Sequence, residues 1–132
     1  MPLRFAILEI SKLRTHEGTE RTALDRIREE IRREGLIRRP ILVAEDELVI
    51  LDGHHRYLAL RELGCRKVPV YLIDYKSEEV QLTTWPGSTI REVTKEMVLE
   101  QARSGKPFPP KTTRHIVKVP LEDHPVPLRE LV

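Results

Sequence analysis

The sequence predicts an α+β domain, a small mixed sheet with flanking helices. Three observations lead there. Short apolar runs of strand length recur through the first half of the chain. Between them lie segments whose apolar residues fall at helical spacing, each stopped by a glycine. At the centre, one strand runs through Asp52-Gly53-His54-His55-Arg56 straight into a helix.

Taken in order, Leu3–Ile10 is a first strand, followed by a polar stretch, Ser11–Glu20, that carries His16-Glu17. From Thr22 to Glu34 the apolar Leu24, Ile27 and Ile31 define one helical face, and Gly35 ends the helix. Pro40–Val43 and Leu48–Leu51, joined by a turn at Glu45-Asp46, form a hairpin. A helix over Tyr57–Leu63 is predicted from Leu58, Leu60 and Leu63, with Gly64 as its stop, and Val68–Tyr71 is a further strand. Thr83–Gly87 reads as a turn holding the only tryptophan, Trp85. Thr94 is placed to cap a helix reaching Ser104, with Glu96 in its first turn. Lys106–Pro110 can be neither helix nor central strand. It delivers the chain to Lys111–His115, a strand at Ile116–Val119, and a Pro-spaced tail expected to pack along an edge. Residues 1–75 are thus expected to form the core, and 76–132 a C-terminal segment packed on it as part of one compact unit.

Composition narrows the function classes. The chain of 132 residues has 23 Lys and Arg against 21 Asp and Glu, a net charge of +2, too small for bulk affinity to nucleic acid. Cys65 is the single cysteine, which excludes an internal disulfide and multi-cysteine zinc sites. No apolar run reaches the ~20 residues of a membrane span. The opening MPLRFAILEISK lacks the pattern of a secretory signal, so a cytoplasmic location is expected. Mixed charge and ten prolines would suit a thermophile.

Asp52–Arg56 carries the chemistry. A strand that turns directly into a helix leaves the first helical N–H groups unpaired, and the macrodipole adds positive potential there. Such a terminus attracts phosphate. Gly53 permits the tight turn and close approach of a ligand. His54, His55 and Arg56 add side-chain donors, and Arg56 can grip phosphate oxygens in pairs. Asp52 is placed to hold a metal ion or orient a histidine. Glu17 is a carboxylate able to accept a hydroxyl proton. Thr112, Thr113, Arg114 and His115 together supply the donors that would bind an amino-acid carboxylate or its phosphorylated product.

The run Leu51–Val70 (LDGHHRYLALRELGCRKVPV), preceded by Ile31–Val43 (IRREGLIRRPILV), resembles the core of the ParB/sulfiredoxin-like superfamily. Within it, the closest likeness is to the archaeal free serine kinases and their bacterial siderophore-pathway relatives. His16-Glu17 after the first strand, the Asp52–Arg56 loop, and Lys111–His115 after Phe-Pro-Pro carry that likeness over roughly residues 3–117. It implies a kinase that transfers a phosphoryl group from ATP or ADP, with Mg2+, to the hydroxyl of free L-serine. Glu17 would be the catalytic carboxylate, with Asp52 beside it as a catalytic group and a candidate Mg2+ ligand. Asp52, Gly53, His54, His55 and Arg56 would bind the nucleotide phosphates. Trp85, Thr112, Thr113, Arg114 and His115 would bind the amino acid. The expected partners are small molecules, with the chain a monomer or homodimer.

Alternatives stand beside this. A ParB-like, nucleotide-dependent DNA-binding or regulatory protein would share the core. Such switches typically carry Gly-Glu-Arg-Arg where this chain has Gly53-His-His-Arg56, and the chain is short for both a DNA reader and a dimerisation domain. A sulfiredoxin needs a reactive cysteine inside the loop, whereas Cys65 lies beyond the helix. A kinase acting on another small hydroxyl compound fits the same residues.

Overall fold

The computed structural model describes residues 3–132; Met1 and Pro2, at the start of the expected 1–75 unit, lie outside the described residues. The strands are β1 (Leu3–Glu9), β2 (Leu36–Ile37), β3 (Ile41–Ala44), β4 (Val49–Asp52), β5 (Lys67–Ile73), β6 (Val80–Thr84), β7 (Thr113–Val117) and β8 (Val126–Pro127). The helices are α1 (Arg21–Glu34), α2 (His54–Glu62) and α3 (Lys95–Ser104).

A four-stranded mixed sheet, ordered β1-β5-β3-β4, forms the middle layer. Strand β5 pairs antiparallel with β1 and parallel with β3, and β3 pairs antiparallel with β4 in the expected hairpin. Every residue of β3 is buried, because the sheet is covered on both faces. Alternate side chains divide the core accordingly. Ile41, Val43, Ile50, Val68 and Val70 meet Leu24 and Ile31 of α1 and Leu60 of α2. Leu42, Ala44, Val49, Leu51 and Ile73 meet Val80 of β6 and Val98 and Ala102 of α3 on the other side. Residues 80–117 therefore form the third layer, as an antiparallel β6–β7 ribbon with α3.

Most expected elements occur, with shifted ends. Helix α2 begins at His54, three residues before the expected Tyr57, because its buried face starts with an imidazole that an apolar pattern does not register. Asp52 does not cap it; Gly53 is the cap residue, at φ 111°. Thr83 and Thr84 belong to strand β6, and the turn starts only at Trp85. Strand β7 begins at Thr113, ahead of the expected Ile116. The tail does more than pack along an edge: β8 pairs with β2, and Leu131 is fully buried, its carbonyl accepting from the N–H groups of Arg66 and Lys67. Thr94 caps α3 as expected, its side chain accepting the Met97 N–H. Among the described residues, no helix is long and apolar enough to cross a membrane.

Candidate active site

A cleft of about 950 Å³ lies where α1, the start of α2, the β6–α3 turn and the start of β7 converge. Its floor is the strand-to-helix turn. A Cβ on residue 53 would sit 2.5 Å from Ile41 Cγ2, and φ is positive, so only glycine fits this corner. The turn leaves the N–H groups of His54, His55 and Arg56 outside the helical ladder, whose first bond runs from the Tyr57 N–H to the Gly53 carbonyl.

The two histidines of that first turn hold the loop that carries Glu17. His54 Nε2 accepts the main-chain N–H of His16 (3.2 Å), and His55 Nε2 accepts that of Glu20 (3.1 Å). An accepting Nε2 bears no proton, so each neutral ring carries its proton on Nδ1. Burial pushes His54 well below the usual histidine range, with His16, His115 and His55 adding to the effect. Burial also lowers His55. The rings are therefore neutral, and each uses its Nε2 to position a loop.

Arg56 is also engaged within the chain. Its Nη1 donates to the carbonyls of Arg39 (2.9 Å) and Pro40 (3.2 Å), and its Nη2 lies 3.7 Å from Asp52 Oδ2. The guanidinium thus clamps the 39–40 corner against the phosphate-type turn while still lining the cleft. The Asp52 side chain is 60% exposed at the mouth.

Glu17 is fixed from the other side. Its Oε1 accepts the main-chain N–H groups of Thr112 (3.1 Å) and Thr113 (2.7 Å) and the Thr113 hydroxyl (2.9 Å). Its backbone is locked by the Phe108 N–H donating to the His16 carbonyl and the Gly18 N–H donating to the Phe108 carbonyl. All these donors converge on Oε1; among the described residues none is directed to Oε2. Burial raises the Glu17 carboxyl above its ordinary value, and the donors from residues 111–113 pull partly the other way.

The C-terminal candidates separate. Thr113, Arg114 and His115 line the cleft, but Thr112 does not. Thr112 is buried and its hydroxyl donates to the Pro109 carbonyl, which corrects its expected place against a substrate. Arg114 stacks over the exposed Trp85 ring at 4.7 Å, and both line the cleft. His115 Nε2 lies 2.8 Å from the Tyr75 hydroxyl, while its buried Nδ1 has no hydrogen-bond partner among the described residues. Burial, aided by His16, drives His115 down to about 3.

Two residues escaped the sequence reading. His16 is fully buried, with Nδ1 2.7 Å from the Ile50 carbonyl and Nε2 2.8 Å from the Thr113 hydroxyl. Tyr75 seats His115 and carries Lys95 over its ring. The signal for His16 was its place directly before Glu17. A polar loop gives no reason to expect a buried ring. The arrangement offers an anion-attracting helix terminus and a carboxylate with one free oxygen, lining one cleft. Among the described residues no group of three or more His, Cys, Asp or Glu could hold a metal ion, and Asp52 lines the cleft with the separate carboxylates of Glu17, Glu30 and Glu34.

The family model described as the ParB N-terminal domain matches residues 2–84. The ATP-dependent L-serine kinase of Staphylothermus marinus is 39% identical over 93 residues, which is 67% of this chain and 37% of the relative. The ADP-dependent L-serine kinase SerK of Thermococcus kodakarensis is 33% identical over 85 residues, 61% of this chain and 35% of the relative. The chain thus spans little more than a third of the length of these two curated relatives. A solved free serine kinase in complex with AMP shares its fold, with a TM-score of 0.89 at 21% identity, over 100% of this chain and 95% of that one. On the match over residues 2–84, the chain belongs to the ParB N-terminal domain family.

Proposed function

We propose that this protein is a kinase that transfers a phosphoryl group from ATP or ADP to the hydroxyl of free L-serine. The observation that carries the proposal is Glu17, a partly desolvated carboxylate held at Oε1 by Thr112 and Thr113 and lining the same cleft as the first turn of α2. A general base for an alcohol needs a fixed orientation, an unencumbered oxygen and a raised proton affinity. Glu17 meets each of these needs.

The nucleotide phosphates would rest on the free N–H groups of His54, His55 and Arg56, where the helix dipole favours negative charge. The neutral imidazoles would contribute by holding residues 16–20 in place. Arg56 would support the turn from behind through the 39–40 carbonyls. Asp52 is suited to Mg2+, since that ion commonly binds through one or two carboxylates plus water and substrate phosphates; when bound it would neutralise charge on the transferring group. Arg114, oriented by Trp85, would pair with the carboxylate of the amino acid. His115 would line the site as a neutral ring seated by the Tyr75 hydroxyl. Glu17 Oε2 would take the hydroxyl proton as the oxygen attacks phosphorus in line.

The names of the curated relatives and the fold of the free serine kinase support the acceptor and donor classes. The test is to incubate the purified protein with Mg2+, ATP or ADP, and L-serine or a panel of small alcohols. O-phospho-L-serine is the expected product, and its appearance with one nucleotide names the donor. Product from a different alcohol alone would move the acceptor. Nucleotide binding without any product would favour a regulatory or DNA-linked switch.

A further inference from the structure

The contacts around the Thr113 hydroxyl contain more acceptors than protons. Its Oγ1 lies 2.9 Å from Glu17 Oε1 and 2.8 Å from His16 Nε2. His16 Nδ1 faces the Ile50 carbonyl at 2.7 Å, and a carbonyl only accepts, so the ring proton must sit on Nδ1. In the neutral ring Nε2 is then an acceptor. Ionised Glu17 is an acceptor as well. One hydroxyl proton faces both, and a hydroxyl donates once.

We propose that Glu17 and His16 share the Thr113 hydroxyl as a common donor, and that His16 acts as a positioning residue by taking it when Glu17 receives a proton from the substrate. The exchange balances without any further reactant. With Glu17 ionised, Thr113 donates to the charged Oε1, the stronger acceptor. When the substrate hydroxyl delivers its proton to Oε2, Oε1 becomes a neutral acceptor that still holds the N–H groups of Thr112 and Thr113. The Thr113 proton then rotates to His16 Nε2. No proton leaves Thr113, and the only proton transferred runs from substrate to Glu17. His16 thereby stabilises the protonated form of Glu17, which raises its strength as a base.

The surroundings leave this exchange undisturbed. His54 from α2 and His115 from β7 face the His16 ring at centroid distances of 4.7 and 5.7 Å. Both are held neutral by burial, and His16 itself is lowered to about 4. His55 is likewise lowered and faces the loop through Glu20. Lys111 and Glu20 close the rim as an exposed pair at 3.9 Å. At neutral pH the ring that competes for the Glu17 donor is therefore uncharged.

The role in catalysis rests on the kinase proposal, but the shared donor does not, so the test begins without turnover. Nuclear magnetic resonance of protein labelled with 13C in Glu and 15N in His would follow both groups against pH. The expected result is a His16 ring in the Nδ1–H form whose Nε2 signal moves as Glu17 titrates. His16→Asn keeps a donor for Ile50 and removes the competitor, so the Glu17 midpoint should fall by about half a unit to one unit. Thr113→Val removes the donor from ionised Glu17 and should raise the midpoint by a similar amount. In an active enzyme, the acid limb of kcat/KM should follow the same opposite shifts, whereas loss of packing alone would lower activity without moving the limb. A His16 signal indifferent to Glu17 in the wild-type protein would overturn the proposal, whether or not His16→Asn folds. If these shifts appear without any phosphoserine formation, the shared donor stands and the kinase assignment falls.

Discussion

His54 Nε2 accepts the main-chain N–H of His16 at 3.2 Å, tying the first turn of α2 to the residue that precedes Glu17. His55 repeats the device on Glu20, so adjacent side chains brace both ends of one short loop. The terminus that would hold phosphate and the carboxylate that would take the proton are thus positioned by the same turn of helix. These bonds add to those from Phe108 that hold the same loop over the cleft.

His54→Ala should leave the buried His16 N–H without an acceptor and open space beside His16. The expected cost is about 1–3 kcal/mol, measured by urea unfolding. Turnover should fall further than stability, because Glu17 loses its fixed orientation. A variant as active as the wild type would show that the brace does not matter.

Stability should fall in mild acid. His16 and His115 titrate at about 4 and about 3 in the folded chain, and His54 lies well below its ordinary 6.5. Between those values and 6.5 the unfolded chain binds more protons than the folded one. Stability is therefore complete above about pH 6.5 and declines as pH drops toward the folded values. At pH 5 each buried ring should account for roughly 2 kcal/mol of loss. Unfolding midpoints at pH 7.5 and pH 5 measure it, and equal midpoints would contradict the neutral assignment of these rings.

Gly53→Ala should destabilise the chain by more than about 1 kcal/mol, since the new methyl meets Ile41 at 2.5 Å with the backbone at positive φ. Whatever folded protein remains should bind nucleotide weakly, because the N–H groups of residues 54–56 would shift. Calorimetry with ADP reads this directly.

Arg114→Ala should raise the KM for the amino acid about tenfold or more, the loss of a charge-assisted pair, with nucleotide affinity unchanged. Trp85→Ala should act in the same direction more weakly, through the lost stacking at 4.7 Å.

Elements with a strong local signature were legible in the sequence. The hairpin of β3 and β4, helix α1 with its Gly35 stop, and the Thr94 cap followed from apolar spacing and capping residues alone. Helix α2 was read late because His54 occupies a core position that an imidazole does not announce. Of the site, Gly53, Glu17, Asp52 and Arg114 line one cleft; the residue types alone pointed to the turn at Gly53, while Glu17 was singled out through the resemblance. The partner that each polar group chose was not legible. Arg56 took backbone carbonyls rather than solvent, Thr112 turned to Pro109, and His16 closed a hydrogen-bond chain across 97 residues of sequence to Thr113. Such pairings depend on how the C-terminal ribbon packs against the sheet, which no local pattern carries.

The most direct measurement is the rate of O-phospho-L-serine formation by the wild-type protein and by Glu17→Gln, with nucleotide affinity determined alongside. The account predicts phosphoserine from the wild type, a loss of turnover of at least about a hundredfold in the variant, and equal nucleotide affinity in both. Undiminished turnover in Glu17→Gln, or no phosphoserine from a wild-type protein that binds the nucleotide, would contradict it.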